Sequence, residues 1–298
     1  MKKRSKRKGI ILAGGIGSRL SPLTDAISKQ LLPVYDKPMI YYPLTTLMLA
    51  GIHEILIITT PRDSKAFKNL LGDGKSLGLS INYEIQAYPR GLADAFIIGE
   101  EFIDSNSVAL ILGDNLFHSS DLVAKLEKAN IDNNKNTIFA YLVNDPERYG
   151  VVVFNDKGEV KEIIEKPTNS ESRYAITGLY FYDKTVVEKA KKVKPSGRNE
   201  LEITSINQMY LKENNLNVEL MGRGTAWLDT GTFDSLQQAS SYIRTLEKRQ
   251  GLKIGCPEEV SWRNGWINNE ELNKLSESII SSSYGQYLKN IIHDKNSI

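Results

Sequence analysis

An α/β fold with a mixed, mainly parallel central sheet flanked by helices is what this sequence predicts, and three observations carry that reading. Ile55-Leu56-Ile57-Ile58 and Val108-Ala109-Leu110-Ile111-Leu112 are continuous apolar runs, the pattern of strands buried on both faces. Segments with helical spacing separate such runs in β-α-β-α order, as in a doubly wound, Rossmann-like sheet. The 298 residues, 41% hydrophobic and 25% charged, are enough for one large α/β core.

Residues 9–12 read as a short buried strand that runs into the glycine-rich loop Ala13-Gly14-Gly15-Ile16-Gly17-Ser18-Arg19. Pro38 suits the first turn of a helix extending to about residue 50, with Gly51 as its stop. A strand at 55–58, a helix near 65–71, a strand at 81–85, a helix over 91–102 and a strand at 108–112 follow. After about residue 137 the pattern changes. Strands at 138–142, 150–154, 160–164 and 175–182 come with little helix between them, and Asp156-Lys157-Gly158 is a hairpin-type turn. Helices near 202–213 and 233–249 complete the main unit, and beyond Gly251 helical patches lie at 269–276 and 284–292. The expected organisation is a basic arm over 1–8, one main domain over 9–250, and a helical appendage over 251–298 suited to an interface.

Composition narrows the function classes. With Cys256 as the single cysteine, no intrachain disulfide can form, and a buried structural thiol is the plain expectation for it. A net charge of +2 gives little global steering toward nucleic acid. Charge is concentrated in Lys2-Lys3-Arg4-Ser5-Lys6-Arg7-Lys8, which is either a solvated terminus or an arm that touches an anionic partner. The apolar run after it is too short for a signal peptide, and no apolar stretch approaches bilayer length. A cytoplasmic protein with no nucleic-acid and no membrane partner is expected.

A strand followed by glycines can cradle phosphate, because glycine lets backbone N–H groups approach anionic oxygens. Two familiar versions fail here. A dinucleotide-binding site wants an acidic residue after the second strand, where this chain has Thr59-Thr60-Pro61. A P-loop needs a glycine five residues before Gly74-Lys75-Ser76, where Asn69 stands. What sets the first loop apart is Arg19 at its end and Lys29 soon after, in Ser28-Lys29-Gln30-Leu31-Leu32-Pro33. Two cations beside a backbone nest suit a triphosphate, although surface charges would read the same way.

Together these segments resemble the signature of the sugar-nucleotide pyrophosphorylases, whose pattern is Gly-Gly-x-Gly-Thr-Arg-Leu followed by a lysine; Ser18 keeps the hydroxyl of the usual threonine. Tyr35-Asp36-Lys37-Pro38-Met39-Ile40-Tyr41-Tyr42-Pro43-Leu44 is similar to the thymidylyl-transferring branch of that family. So are Leu112-Gly113-Asp114-Asn115, Asp145-Pro146-Glu147-Arg148-Tyr149-Gly150, Glu165-Lys166-Pro167, Thr177-Gly178-Leu179-Tyr180, Leu201-Glu202-Ile203-Thr204 and Gly222-Arg223-Gly224-Thr225-Ala226-Trp227-Leu228-Asp229. The resemblance covers nearly all of the chain after the arm. It implies that residues 9–250 form a nucleotidyltransferase domain with dTTP and glucose 1-phosphate as substrates and Mg²⁺ as cofactor, in a homotetramer. UTP or another sugar phosphate as substrate, and a non-catalytic sugar-nucleotide-binding module, are the rival readings.

Site residues follow from the same resemblance. Arg19, Lys29, Asp114 and Lys166 take catalytic positions. Leu12, Gly14, Gly15, Gly17, Ser18, Arg19, Lys29, Gln86 and Gly91 match nucleotide-binding positions. Asp114, Tyr149, Gly150, Glu165, Lys166, Ile176, Tyr180 and Trp227 match the sugar-phosphate pocket. Asp114 and Asp229 match the metal ligands, and two hard carboxylates shared with phosphates and water suit octahedral Mg²⁺. Arg223, Gly224, Cys256 and Glu259 resemble parts of a second, regulatory nucleotide site at a subunit interface. Three departures stand near the nucleotide: Asp94 replaces the glutamine of the usual Gly-Leu-Ala-Gln-Ala, Arg90 replaces an acidic or small residue, and Ile16 replaces a common serine.

Overall fold

A computed structural model describes residues 6–131 and 135–293. Residues 1–5, most of the basic arm, lie outside the described residues. The chain begins with β1 (Lys8–Ala13), the glycine loop, a short α1 (Leu23–Ala26), and a ribbon of β2 (Pro33–Val34) and β3 (Lys37–Pro38). Then come α2 (Tyr41–Leu49), β4 (Glu54–Thr59), α3 (Ser64–Leu71), β5 (Ser80–Ile85), α4 (Asp94–Ile98), α5 (Glu100–Ile103), β6 (Val108–Leu112), β7 (Asn115–His118) and α6 (Leu122–Ile131). The second half holds β8 (Asn136–Leu142), β9 (Gly150–Phe154), β10 (Val160–Glu165), β11 (Tyr174–Tyr182), α7 (Val186–Lys192), α8 (Ile203–Lys212), β12 (Leu216–Met221), β13 (Ala226–Asp229) and α9 (Phe233–Gln250). The C-terminal helices are α10 (Pro257–Arg263), α11 (Asn269–Ser278) and α12 (Ser283–Ile291).

The predicted sheet is present, and it is mixed. Among the described residues nine strands join in the order β10-β9-β11-β6-β1-β4-β5, with β8 branching from β11 and β12 pairing with β8. β1 pairs in parallel with β4 and β6, and β4 with β5. β11 pairs antiparallel with β6, β8 and β9, so the change of direction falls at the β6–β11 seam. The continuous apolar runs have a direct explanation. Successive side chains point to opposite faces, so Ile11, Ile55, Ile57 and Ile111 enter one core while Ile10, Leu56, Ile58 and Leu110 enter the other. Each of these eight is at most 1% exposed, and burying such a side chain is worth about 1.5–3 kcal/mol.

Four expectations are corrected. The first helix starts at Tyr41, not Pro38, because Lys37 and Pro38 pair with Val34 and Pro33 across the β2–β3 ribbon. The helix expected over 91–102 breaks into α4 and α5 at Gly99, where a Cβ would sit 3.1 Å from both Ile10 and Leu56. The elements β7, α6, α7, β12 and α10 had no counterpart in the sequence reading. The fourth correction concerns the arm. Arg7 is 1% exposed, and its guanidinium donates to the Tyr182 carbonyl at 2.5 Å, the Val108 carbonyl at 3.3 Å and Asn130 Oδ1 at 3.1 Å. Lys8 opens β1 and donates to the Phe102 carbonyl at 2.6 Å. Of the last two residues of the basic run, Lys8 therefore belongs to the sheet and Arg7 is anchored to it by its side chain.

Beyond residue 251 the described chain carries α10, α11 and α12. Cys256 is buried there with Ile267, Leu272, Tyr284 and Leu288, as expected of a structural thiol. Among the described residues, no helix is long and apolar enough to cross a membrane.

Candidate active site

A cleft of about 600 Å³ opens beyond the carboxyl ends of β1 and β6. That edge is where open α/β sheets place ligands, because loops leave adjacent strands there in diverging directions. On one wall lie Leu12, at the end of β1, with Gly14, Gly15 and Arg19 of the glycine loop, and Gln86 and Gly91 of the segment after β5. Gly17 and Ser18 support this wall from behind. Gly17 has φ +71°, and a Cβ on it would come within 2.9 Å of Thr24 and 3.2 Å of Lys29. Ser18 begins the single helical turn that carries Arg19. Gly91 has φ +102°, and an added Cβ would strike the Leu201 backbone at 2.5 Å.

Asp114 stands two residues beyond the last β6–β1 register pair, in the turn to β7. Its Oδ2 accepts from Lys29 Nζ, and its Oδ1 accepts from Asn115 Nδ2 at 2.9 Å. Burial pushes the Asp114 carboxyl up, but the Lys29 ammonium overcomes it and leaves the group below the usual carboxylate range. Lys29 itself is 7% exposed and meets the cleft through Asp114. Asp229 ends β13, whose register sets it opposite Asn115. Thr230 then ties back to the Asp114 carbonyl, through its hydroxyl at 2.9 Å and its N–H at 3.3 Å.

Two segments 115 residues apart in the chain thus bring both aspartates to one cleft wall. Asp229 Oδ2 accepts from the Arg148 guanidinium at 2.9 Å and the Tyr149 hydroxyl at 3.0 Å. Its carboxyl is nevertheless raised above the ordinary value. Burial is the main cause; Arg148 and the Tyr149 bond offset part of it, and the nearby Asp114 charge adds to it. Among the described residues, no group of three or more His, Cys, Asp or Glu could cage a metal. The donor set therefore fits a hard divalent cation held by one or two carboxylates and completed by phosphate oxygens and water.

The opposite wall comes from the antiparallel half of the sheet. Tyr149 immediately precedes β9 and Gly150 opens it, Glu165 ends β10, and Ile176 and Tyr180 lie on β11. Glu165 Oε1 accepts from Arg198 at 3.0 Å, and Oε2 accepts from the Thr204 hydroxyl. Lys166 follows with φ +41°, an unusual conformation for any side-chain-bearing residue and more so before a proline. Its N–H is fixed to the Tyr149 carbonyl at 3.0 Å, so the turn is held while the side chain lines the cleft. Trp227 closes the floor: its Nε1–H donates to Asn115 Oδ1 at 2.6 Å, and its ring lies 5.1 Å from that of Tyr149.

Residues 8–245 match the Nucleotidyl transferase family. The chain belongs to this family. As a nucleotidyltransferase it is 54% identical to a glucose-1-phosphate thymidylyltransferase of Neisseria meningitidis serogroup A, over 96% of this chain and 99% of the relative. The same identity and coverage hold for a glucose-1-phosphate thymidylyltransferase of Mycobacterium tuberculosis. Among solved structures, one described as a glucose-1-phosphate thymidylyltransferase from Bacillus anthracis, in complex with a sucrose, matches with TM-score 0.74 and 41% identity. That match covers 80% of this chain and 95% of the other. A UDP-glucose pyrophosphorylase complexed with UDP-glucose matches with TM-score 0.71 and 25% identity, over 80% and 99%.

The nucleotidyltransferase cleft also uses residues that the sequence reading passed over. Arg148 holds Asp229, Asn115 braces Asp114, Trp227 and Gly178, and Thr204 and Arg198 hold Glu165. Arg148 and Asn115 each stand beside a residue already singled out, so their adjacency in the motifs was the available signal. Arg198 lies in a stretch without a motif and had no such signal. The four residues matched to a regulatory site lie away from the cleft lining: Arg223 and Gly224 in an exposed turn, Cys256 and Glu259 buried at α10.

Proposed function

We propose that this nucleotidyltransferase transfers a thymidylyl group from dTTP to glucose 1-phosphate, giving dTDP-glucose and pyrophosphate. The observation that carries the reading is the meeting of Lys29, Asp114, Asp229 and the Gly14–Gly15–Arg19 wall in one cleft, opposite a wall of Glu165, Lys166 and Tyr180. An oxygen of the sugar phosphate attacks the α-phosphorus in line, and the bond from that phosphorus to the bridging oxygen breaks. The attacking group is already anionic at neutral pH, so no general base is needed. Attack of one anion on another instead needs charge neutralisation and alignment.

The glycine-loop N–H groups and Arg19 hold the triphosphate and the departing pyrophosphate. Lys29 keeps Asp114 ionised and adds positive charge next to it. Lys166 takes the sugar phosphate, and the Glu165 carboxylate accepts from sugar hydroxyls. The base lies against Gln86 and the Gly91 backbone. Asp114 and Asp229 hold Mg²⁺, which when bound supplies charge neutralisation between the two phosphate groups.

The test is pyrophosphate release from four nucleoside triphosphates against several sugar 1-phosphates, with and without a divalent cation. Turnover is expected with dTTP and glucose 1-phosphate, and only with the cation. Preference for UTP or a different sugar phosphate would replace the substrate assignment, and cation-independent turnover would remove the metal from it.

A further inference from the structure

Gln86 follows β5, and its N–H donates to the Thr59 carbonyl at 2.8 Å, which fixes where its side chain starts. It is 5% exposed, and its Nε2 donates to Asp94 Oδ2 at 3.0 Å. Asp94 opens α4, is 3% exposed, and offers its other oxygen to the Arg90 guanidinium at 3.0 Å. An ion-paired carboxylate only accepts hydrogen bonds. The Gln86 amide therefore has one permitted orientation: its NH₂ faces Asp94 and its carbonyl faces away. That carbonyl oxygen lies against Gly14, where an added Cβ would be only 2.5 Å from it. Among the described residues, no donor is bonded to this oxygen, and both Gln86 and Gly14 line the cleft.

We propose that Asp94 is a positioning residue for nucleobase selection: by taking the amino end of Gln86 it leaves Oε1 as a fixed acceptor at the cleft wall. A fixed acceptor suits a pyrimidine whose ring nitrogen carries a proton, as in thymine or uracil. It rejects cytosine, whose ring nitrogen at that edge is itself an acceptor. The device separates the two pyrimidine classes and does not separate thymine from uracil. Arg90 contributes by pairing with the other Asp94 oxygen, which fixes the orientation of the carboxylate toward Gln86. The inference rests on the reading above that the base lies against Gln86.

Three variants of the full-length protein test it: Asp94→Asn, Gln86→Glu, and the double variant Gln86→Glu/Asp94→Asn. Each is measured for kcat and KM with dTTP and with dCTP, for calorimetric binding of both triphosphates, and for thermal unfolding. In Asp94→Asn the new amide offers either an oxygen or an amino group, so Gln86 is free to turn. The dTTP-over-dCTP ratio of kcat/KM should fall about ten-fold, the size of one lost base-edge discrimination. The loss should lie in KM, with kcat for dTTP within about three-fold of wild type.

In Gln86→Glu alone, the introduced carboxylate meets that of Asp94 with no donor between them, so it is repelled from the place where Asp94 holds the amide; the acceptor is no longer fixed at the cleft wall, and selectivity should be lost as well. In the double variant the introduced amide can donate from its amino group to one oxygen of the introduced carboxylate. The other oxygen is then left as an acceptor toward the cleft, and the ratio should recover. An unchanged ratio in folded Asp94→Asn overturns the proposal. If that variant does not fold, failure of the double variant to regain the selectivity lost in Gln86→Glu overturns it instead. Wild-type protein that binds dTTP and dCTP equally, while turning over dTTP, removes this inference and leaves the proposed reaction standing. Selective binding with no turnover on any triphosphate does the reverse.

Discussion

On the glycine-loop side of the cleft, residues 12–19 carry the backbone nest and Arg19, Gln86 and Gly91 join them from the segment after β5, and Lys29 stands behind Asp114. On the facing side, Tyr149, Glu165, Tyr180 and Thr204 arrive from four separate stretches of the second half of the chain, and side-chain bonds from Thr204 and Arg198 hold Glu165 while the Tyr149 hydroxyl is tied to Asp229. The first wall is largely backbone and cations with Gln86 beside them, the second largely side chains. A backbone nest presents N–H groups to any phosphate, whereas a wall of fixed carboxylates, hydroxyls and rings can be selective. The two walls should therefore fail differently when altered: charge loss on the first should slow the chemistry, and bond loss on the second should weaken sugar binding.

The largest effect is expected from Lys29→Ala. Lys29 touches Asp114 and is nearly buried, so its removal takes a preorganised positive charge from the place where negative charge collects. The expected result in steady-state pyrophosphate release is a fall in kcat of about 10²–10³-fold, with a much smaller change in KM for the sugar phosphate. A fall in kcat below ten-fold, in a protein that melts normally, would break the division of labour between the walls.

This contrast also decides what the sequence revealed. A strand, a glycine loop and two cations within a short span can be read directly, and so could the continuous runs of β4 and β6, because burial on both faces removes every polar residue from them. The pairing of Asp229 with Asn115 could not be derived from spacing, since β7 and β13 are short and meet only in three dimensions. The resemblance supplied Asp229; its own segment offered only an acid after the apolar pair Trp227-Leu228. Arg148 and Asn115 were quoted only as parts of motifs, because their value is the bonds they make to other residues, and those bonds are invisible before the chain folds. The Asp94 departure was visible as a changed letter, but its consequence needed the distance to Gln86 and to Arg90. Arg7 shows the opposite error. A run of six cations in seven residues reads as solvated, yet one of them is almost fully buried because three acceptors converge on it.

Arg7 also lies at the seam between the two halves. It donates to the carbonyl of Val108 on β6 and of Tyr182 on β11, the register pair where parallel gives way to antiparallel. Arg7→Ala removes charge-assisted bonds worth about 1.5–3 kcal/mol and leaves their acceptors without it. A loss of about 3 kcal/mol in unfolding free energy is expected from denaturant titration, with KM for both substrates unchanged. Two separate transitions in the variant would show that the halves are held together chiefly by this clamp; a single shifted transition is expected, because the β6–β11 pairing itself remains.

The smallest effect is the most selective one. Glu165→Gln keeps the shape of the side chain and removes one charge. Arg198 and Thr204 still find a partner, the first on the remaining carbonyl oxygen and the second by rotating its hydroxyl to accept. What is lost is an ionised acceptor facing the cleft, and a hydrogen bond to a charged group is worth about 1.5 kcal/mol at its weaker end, or roughly ten-fold in binding. KM for glucose 1-phosphate should rise by about that factor while KM for dTTP stays put, because Glu165 belongs wholly to the side-chain-built wall. Equal rises in both constants, measured in the same assay, would mean that the walls act as one unit and that the sugar is not recognised separately.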